Sequence, residues 1–239
     1  MMQPALAPGM AVADGRQWLG ASVVAVCLLG TPAVASAGSF TPPVGVTDYR
    51  LAFVTDTTTD ATSTAISTYN SLVATEALDN SSLPSTTWTA IASTATVSAA
   101  TNISCGTPCN GDVPIFLVDG TEVATSTNAL FAGSILNLIN EDESGVSNSN
   151  YVWTGSNANG TIASGAQLGS ADPVFGAGLF GTSDMIDFST EINTDQNSLY
   201  AISGEIAVVP EPASLSLLAF GSIAMGLARK LRRGRRPTH

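Results

Sequence analysis

Six of the eight basic residues in this chain lie close together near its end. They are Arg229, Lys230, Arg232, Arg233, Arg235 and Arg236, and they follow sixteen residues without charge, Ala213 to Ala228. At 1.5 Å per residue that run reaches ~24 Å, a little under the ~30 Å hydrocarbon core of a bilayer. Long basic side chains snorkel and make up part of the shortfall. The positive-inside rule keeps the arginines in the cytoplasm and leaves the bulk of the chain outside. The segment 209–236 is therefore set apart from whatever domain precedes it.

The other end reads as a secretory signal over residues 1–37. Arg16 precedes an apolar run, Leu19 to Leu29, which Gly30 and Pro32 break. Ala35-Ser36-Ala37 supplies small residues for cleavage after Ala37. The apolar run is well short of the ~20 residues of a spanning helix, which favours a cleaved signal over an anchor. The stretch before Arg16 is long for a signal, and Met10 offers a second start. Cys27 leaves with the signal.

The 239 residues are room for one ordinary domain plus these extras. Gly38 to Val46 reads as a short linker, stiffened by Pro42-Pro43, and residues 47–208 as the exported domain. Between Gly38 and Val208 the only base is Arg50, against seventeen acids from Asp48 to Glu205. The whole chain carries a net charge of −11. Such a chain repels phosphate, so no nucleic-acid partner is expected. The acidic surface keeps a domain soluble or attracts divalent cations.

Asp48 to Thr55 reads as a strand in which Tyr49, Leu51 and Phe53 alternate with Arg50 and Ala52. Asp60 to Leu78 reads as a helix, capped near Asp60 or Thr62, with Ile66, Tyr69, Val73 and Ala77 on one face. Trp88 to Ile91, Val113 to Val118, Thr121 to Ala124, Tyr151 to Thr154 and Leu199 to Val208 are further strand candidates. Asp119-Gly120 predicts a two-residue hairpin turn of type I′. Leu130 to Ile139 is a short helix or a packed loop, and Gly155 to Gly181 reads as long loops.

Chemistry is sparse. The domain has no histidine and no lysine, which removes the Ser-His and Ser-Lys arrangements of hydrolases. Paired carboxylates remain a route to glycoside hydrolysis, but nothing marks one pair. Cys105 and Cys109 flank Gly106-Thr107-Pro108 and read as a local disulfide in an oxidising compartment. Glu141, Asp142 and Glu143 offer a Ca²⁺ loop of hard oxygen ligands, or a solvated loop. Asp184, Asp187, Glu191 and Asp195 carry the same two readings. Trp88 and Trp153 are core residues or sugar platforms, and Tyr151 is the better candidate for an exposed aromatic.

Two resemblances extend this reading. The sequence Val209-Pro210-Glu211-Pro212, the apolar run and the arginine cluster together resemble the PEP-CTERM sorting signal, over about Val208 to Arg236. The same segment is sometimes called an ice-binding-protein C-terminal domain. The resemblance implies recognition by an exosortase, a membrane transpeptidase-like enzyme, with cleavage near Pro-Glu-Pro. It also implies a bacterium that makes exopolysaccharide. A plain C-terminal membrane anchor is the alternative.

In the middle, VPIFLVDGTEVA, ALFAGSILNLINEDESG, YVWTGSNANGT and SLYAISGEI, in that order, are similar to a bacterial C-type-lectin-like domain related to the endostatin module. The resemblance implies an α+β fold with antiparallel strands and long loops, its first and last strands paired. The lectin tripeptides that bind Ca²⁺ and the usual disulfide cysteines are absent. The expected protein is an exported, exosortase-sorted component of the cell surface or exopolysaccharide matrix, adhesive or glycan-binding and not an enzyme. A carboxylate-dependent glycan-active enzyme and a purely structural matrix protein are the alternatives.

Overall fold

The described residues of the computed structural model are 40–103, 113–179 and 181–208. The chain divides into two units, Met1–Ala35 and Ser36–His239, and every described residue belongs to the second. At its centre is β1 (Asp48–Val54). After it come α1 (Ile66–Asp79), β2 (Trp88–Ala90), α2 (Ala99–Asn102), β3 (Ile115–Phe116) and β4 (Glu122–Ala124). Then follow α3 (Thr127–Phe131), β5 (Tyr151–Trp153), β6 (Val174–Ala177), a 3-10 turn (Thr182–Met185), β7 (Ser189–Thr190), β8 (Ser198–Ser203) and β9 (Ile206–Ala207).

The strands form one mixed sheet in the order β4-β3-β1-β8-β5-β6-β7. The expectation of antiparallel strands needs correcting, because β1 pairs with β3, and β5 with β8, in parallel. The first strand does pair with the last ones: Ala52 opposes Ile202 in β8, and Tyr49 opposes Ile206 in β9. Three steps along β1 thus match four along its partner, so the ladder carries one extra residue near Gly204. Leu51 N–H bridges this gap by donating to Ser203 Oγ at 2.9 Å.

Both faces of the sheet are covered, so the central strands are buried on both sides. Leu51 and Phe53 of β1, Leu199 and Ala201 of β8, and Trp153 pack with Tyr69, Val73 and Ala77 of α1. On the opposite face Ala52, Val54, Tyr200, Ile202 and Val152 pack with α2, α3, Ile139 and Met185. This is why Arg50, read as the outward side of an alternating strand, is buried.

Helix α1 starts six residues later than expected. The Asp60 side chain is consumed by Thr62, whose N–H and Oγ1 donate to it at 3.0 and 2.6 Å. Ala61 is tied by its N–H to Asn193 and by its carbonyl to Gly169. These bonds hold the segment extended, and the helix begins after Ala65 without a side-chain cap. The predicted face of α1 is the buried one.

The Asp119-Gly120 hairpin forms, but with a three-residue loop. Leu117 accepts from Gly120 N–H and donates to Thr121, and Gly120 has φ 99°. This is the turn-plus-glycine form rather than the two-residue one. The stretch Gly155 to Gly181, expected as loops, contains the buried strand β6. Gly176 within it serves close approach: a Cβ there would sit 1.8 Å from the Met185 carbonyl oxygen.

Candidate functional site

The three adjacent acids at 141–143 part company in the folded chain. Val54 N–H donates to the Glu141 carbonyl at 2.7 Å, and Asn148 Nδ2 to the Thr55 carbonyl at 3.1 Å. These bonds dock the loop on the end of β1. Within the loop, Asp142 Oδ1 accepts from the N–H groups of Ser144 and Val146, both at 2.9 Å. Asp142 is thereby spent on its own turn. Glu141 instead faces the hairpin, where its Oε2 accepts from Asp119 N–H at 3.4 Å. Burial first, and then the Asp119 charge, raise the Glu141 carboxyl to about 7. The three consecutive acids, which the sequence offers as a Ca²⁺ loop or a solvated loop, thus turn to different partners.

Glu143 points inward and meets two acids distant in sequence. Carboxylate oxygens of Asp56, Glu76 and Glu143 all lie within 4.8 Å of one another. Each element contributes for a local reason. Asp56 follows the end of β1, where the Thr55 hydroxyl accepts from Leu199 N–H and donates to the Thr57 carbonyl. Glu76 sits on the buried face of α1, between Val73 and Ala77. Its two oxygens accept from Thr57 N–H at 3.2 Å and Thr57 Oγ1 at 2.8 Å. Asn80, just past the helix, donates its side-chain amide to the Glu143 carbonyl.

Glu76 and Glu143 are 6% and 5% exposed, while Asp56 faces solvent. Burial, reinforced by a hydrogen bond to Asp56 and opposed by Thr57, raises the Glu76 carboxyl to about 7. Burial also raises Glu143, backbone hydrogen bonds from Glu143 itself and from Asp56 oppose the rise, and the Asp56 and Asp142 charges add to it. Glu143 Oε2 is buried and accepts no hydrogen bond. The sequence reading missed Asp56 and Glu76, and no motif joins them. A glutamate among the apolar residues of a helix face was the one available signal. Among the described residues, Asp184, Asp187, Glu191 and Asp195 form no such group. Glu191 is bonded instead to Asn197 at 3.1 Å.

The lone base sits toward the other end of β1. Arg50 Nη1 donates to the Ile103 carbonyl at 2.8 Å, and Nη2 lies 3.9 Å from Glu205. Burial lowers its pKa, and the Glu205 charge partly offsets that. It lines an open cleft of about 280 Å³ with Thr87, Thr89 and Ser203.

Trp88 and Trp153 are buried. Trp153 packs edge-on against Phe175 and donates Nε1–H to the Thr59 carbonyl. Tyr151 and Phe188 are different. They are 45% and 40% exposed, and their rings stack with centroids 6.2 Å apart and planes 18° from parallel. Phe175 backs both, at 4.9 Å from Tyr151 and 5.7 Å from Phe188.

Residues 208–233 match the PEP-CTERM protein-sorting motif. The match supports an exported surface protein that is held at a membrane and then sorted by an exosortase. No curated protein matches the chain. The signal and its cleavage residues Ala35 and Ala37, the Cys105–Cys109 pair, the sorting residues Val209 to Pro212, the apolar helix and the basic tail all lie outside the described residues. Among the described residues, no helix is long and apolar enough to cross a membrane.

Proposed function

We propose that the exported domain has a C-type-lectin-like fold and acts without catalysis, as an adhesive or glycan-binding component of the cell surface or exopolysaccharide matrix. The fold reading is supported by the pairing of β1 with β8 and β9, by α1 packed across the sheet, and by the long irregular stretch from Thr154 to Pro173. The binding reading rests on the stacked pair Tyr151 and Phe188. Part-exposed aromatic rings held side by side fit the C–H face of a sugar ring. The non-enzymatic reading is supported by a domain without histidine or lysine.

Titration of the full chain with the producing organism's own exopolysaccharide tests the binding reading. Saturable binding is expected, and Tyr151→Ala with Phe188→Ala should abolish it while the melting transition persists. No binding by the wild-type chain would leave a structural matrix protein as the better reading. The sorting step has its own test. Replacing Pro210, Glu211 and Pro212 with alanine should retain the full-length chain in the membrane of a host that has the exosortase. An unchanged mature C-terminus by mass spectrometry would refute exosortase sorting.

A further inference from the structure

We propose that Asp56, Glu76 and Glu143 form a Ca²⁺ site that clamps the end of β1, helix α1 and the 139–148 loop together. The inference does not depend on glycan binding. Three carboxylates from three separate segments converge, with oxygens within 4.8 Å of one another. Ca²⁺ holds oxygens at 2.3–2.6 Å, so ligands on opposite sides of one ion stand roughly 4.6–5.2 Å apart. The three oxygens fall within the span that ligands of a single ion can occupy.

The second observation is Glu143 itself. It is 5% exposed, turned toward the other two acids, and its Oε2 has no hydrogen-bond partner. A buried carboxylate oxygen left without a donor is costly unless a proton or a cation meets it. No side chain can do so, because Arg50 is the only base between residues 38 and 208 and is committed to Ile103 and Glu205. The donor set is oxygen alone, without thiolate or imidazole, which suits a hard cation and not zinc. Ca²⁺ tolerates an irregular set drawn from flexible segments, whereas Mg²⁺ demands a near-ideal octahedron and keeps several waters. Thr57 Oγ1, 2.8 Å from Glu76 Oε2, is at hand as a further oxygen.

The test uses the full chain in detergent, stripped with chelator and then titrated with Ca²⁺ by calorimetry and by melting temperature. One saturable site per chain is expected, with a Kd on the order of 10⁻³ M or tighter, and with a rise in melting temperature. Mg²⁺ should bind more weakly. Glu143→Gln and Asp56→Asn should each weaken Ca²⁺ binding about tenfold or more by removing a charged ligand. Glu205→Gln should leave it unchanged. In chelator, Glu143→Gln should melt no lower than the wild type, because it removes a like charge. That result separates loss of a ligand from loss of the fold. Should Glu143→Gln fail to fold, Asp56→Asn, changed at an exposed carboxylate, decides alone. No saturable site up to ~10 mM, far above the range of extracellular Ca²⁺ modules, would overturn the proposal. So would undiminished binding by both variants.

Discussion

Strand β1 has a buried base near its beginning and buried acids just beyond its end, and the two regions solve the same problem differently. Arg50 is 5% exposed, and the fold meets its two Nη groups while its buried Nε has no hydrogen-bond partner. A main-chain carbonyl accepts from it, and Glu205, whose side chain is 55% exposed, faces it from the rim of the sheet. At the far end, Glu76 and Glu143 are buried beside Asp56, and each brings charge of the same sign. Thr57 satisfies Glu76 with two donors, while Glu143 Oε2 has none. The contrast follows from composition. A domain with seventeen acids and one base can pair its base internally, but it cannot neutralise a cluster of acids from its own side chains. Protons or a cation must do that.

The greatest loss is expected at the Arg50 end. Arg50→Ala strips a buried stem and leaves the Ile103 carbonyl without its donor. It should destabilise the fold by about 3 kcal/mol, read by urea unfolding of the full chain. A loss under ~1 kcal/mol would mean that Arg50 is not held as described.

The next effect is on pH. Burial holds a proton on Glu76 up to about 7 in the folded chain, against an ordinary value of 4.5. Glu141 behaves alike, and Glu143 is shifted the same way. Between those values the folded state binds more protons than the unfolded one, so stability falls as pH rises. In chelator, the melting temperature should therefore drop from pH 4.5 to about 7 and then level off. The groups facing Glu76 are Asp56, Glu143 and Thr57, none of which carries positive charge. A melting temperature that rises through this window would mean that the acids at this end of β1 are not held protonated by burial.

Glu76→Gln isolates the charge. The amide oxygen can still accept from Thr57, and one negative charge is gone. In chelator at pH 8 the variant should gain up to about 1 kcal/mol, and at pH 4.5 it should match the wild type. A gain of equal size at both values would point to packing rather than charge. The smallest effect belongs to Glu205→Gln. An exposed partner 3.9 Å from its base should contribute within about 0.5 kcal/mol. A larger loss would show that Arg50 relies on the ion pair more than on the carbonyl.

Local pattern carried the reading where one element decided the outcome. The apolar spacing of Ile66, Tyr69, Val73 and Ala77 named the buried face of α1, because helical period alone sets which residues share a face. Tyr151 stood out as the exposed aromatic, while Trp88 and Trp153 went to the core. The reading failed where two elements compete. Asp60 looks like a helix cap, but Thr62, Gly169 and Asn193 hold its segment extended. Val174 to Ala177 lies in a glycine-rich stretch, yet it pairs with β5 and β7.

Readable from the residues alone were the sorting motif, the excess of acids, the absence of histidine and lysine from the domain and the main strands. These are properties of composition and short order, which need no partner from elsewhere in the chain. Tertiary structure alone decided that Glu141, Asp142 and Glu143 part, and that Asp56 and Glu76 come to meet Glu143. Nineteen residues separate Thr57 from Glu76, and 63 separate Asn80 from Glu143. Contacts across such distances depend on how β1, α1 and the loop dock, and docking is set by burial of apolar faces that says nothing of where the acids will end up.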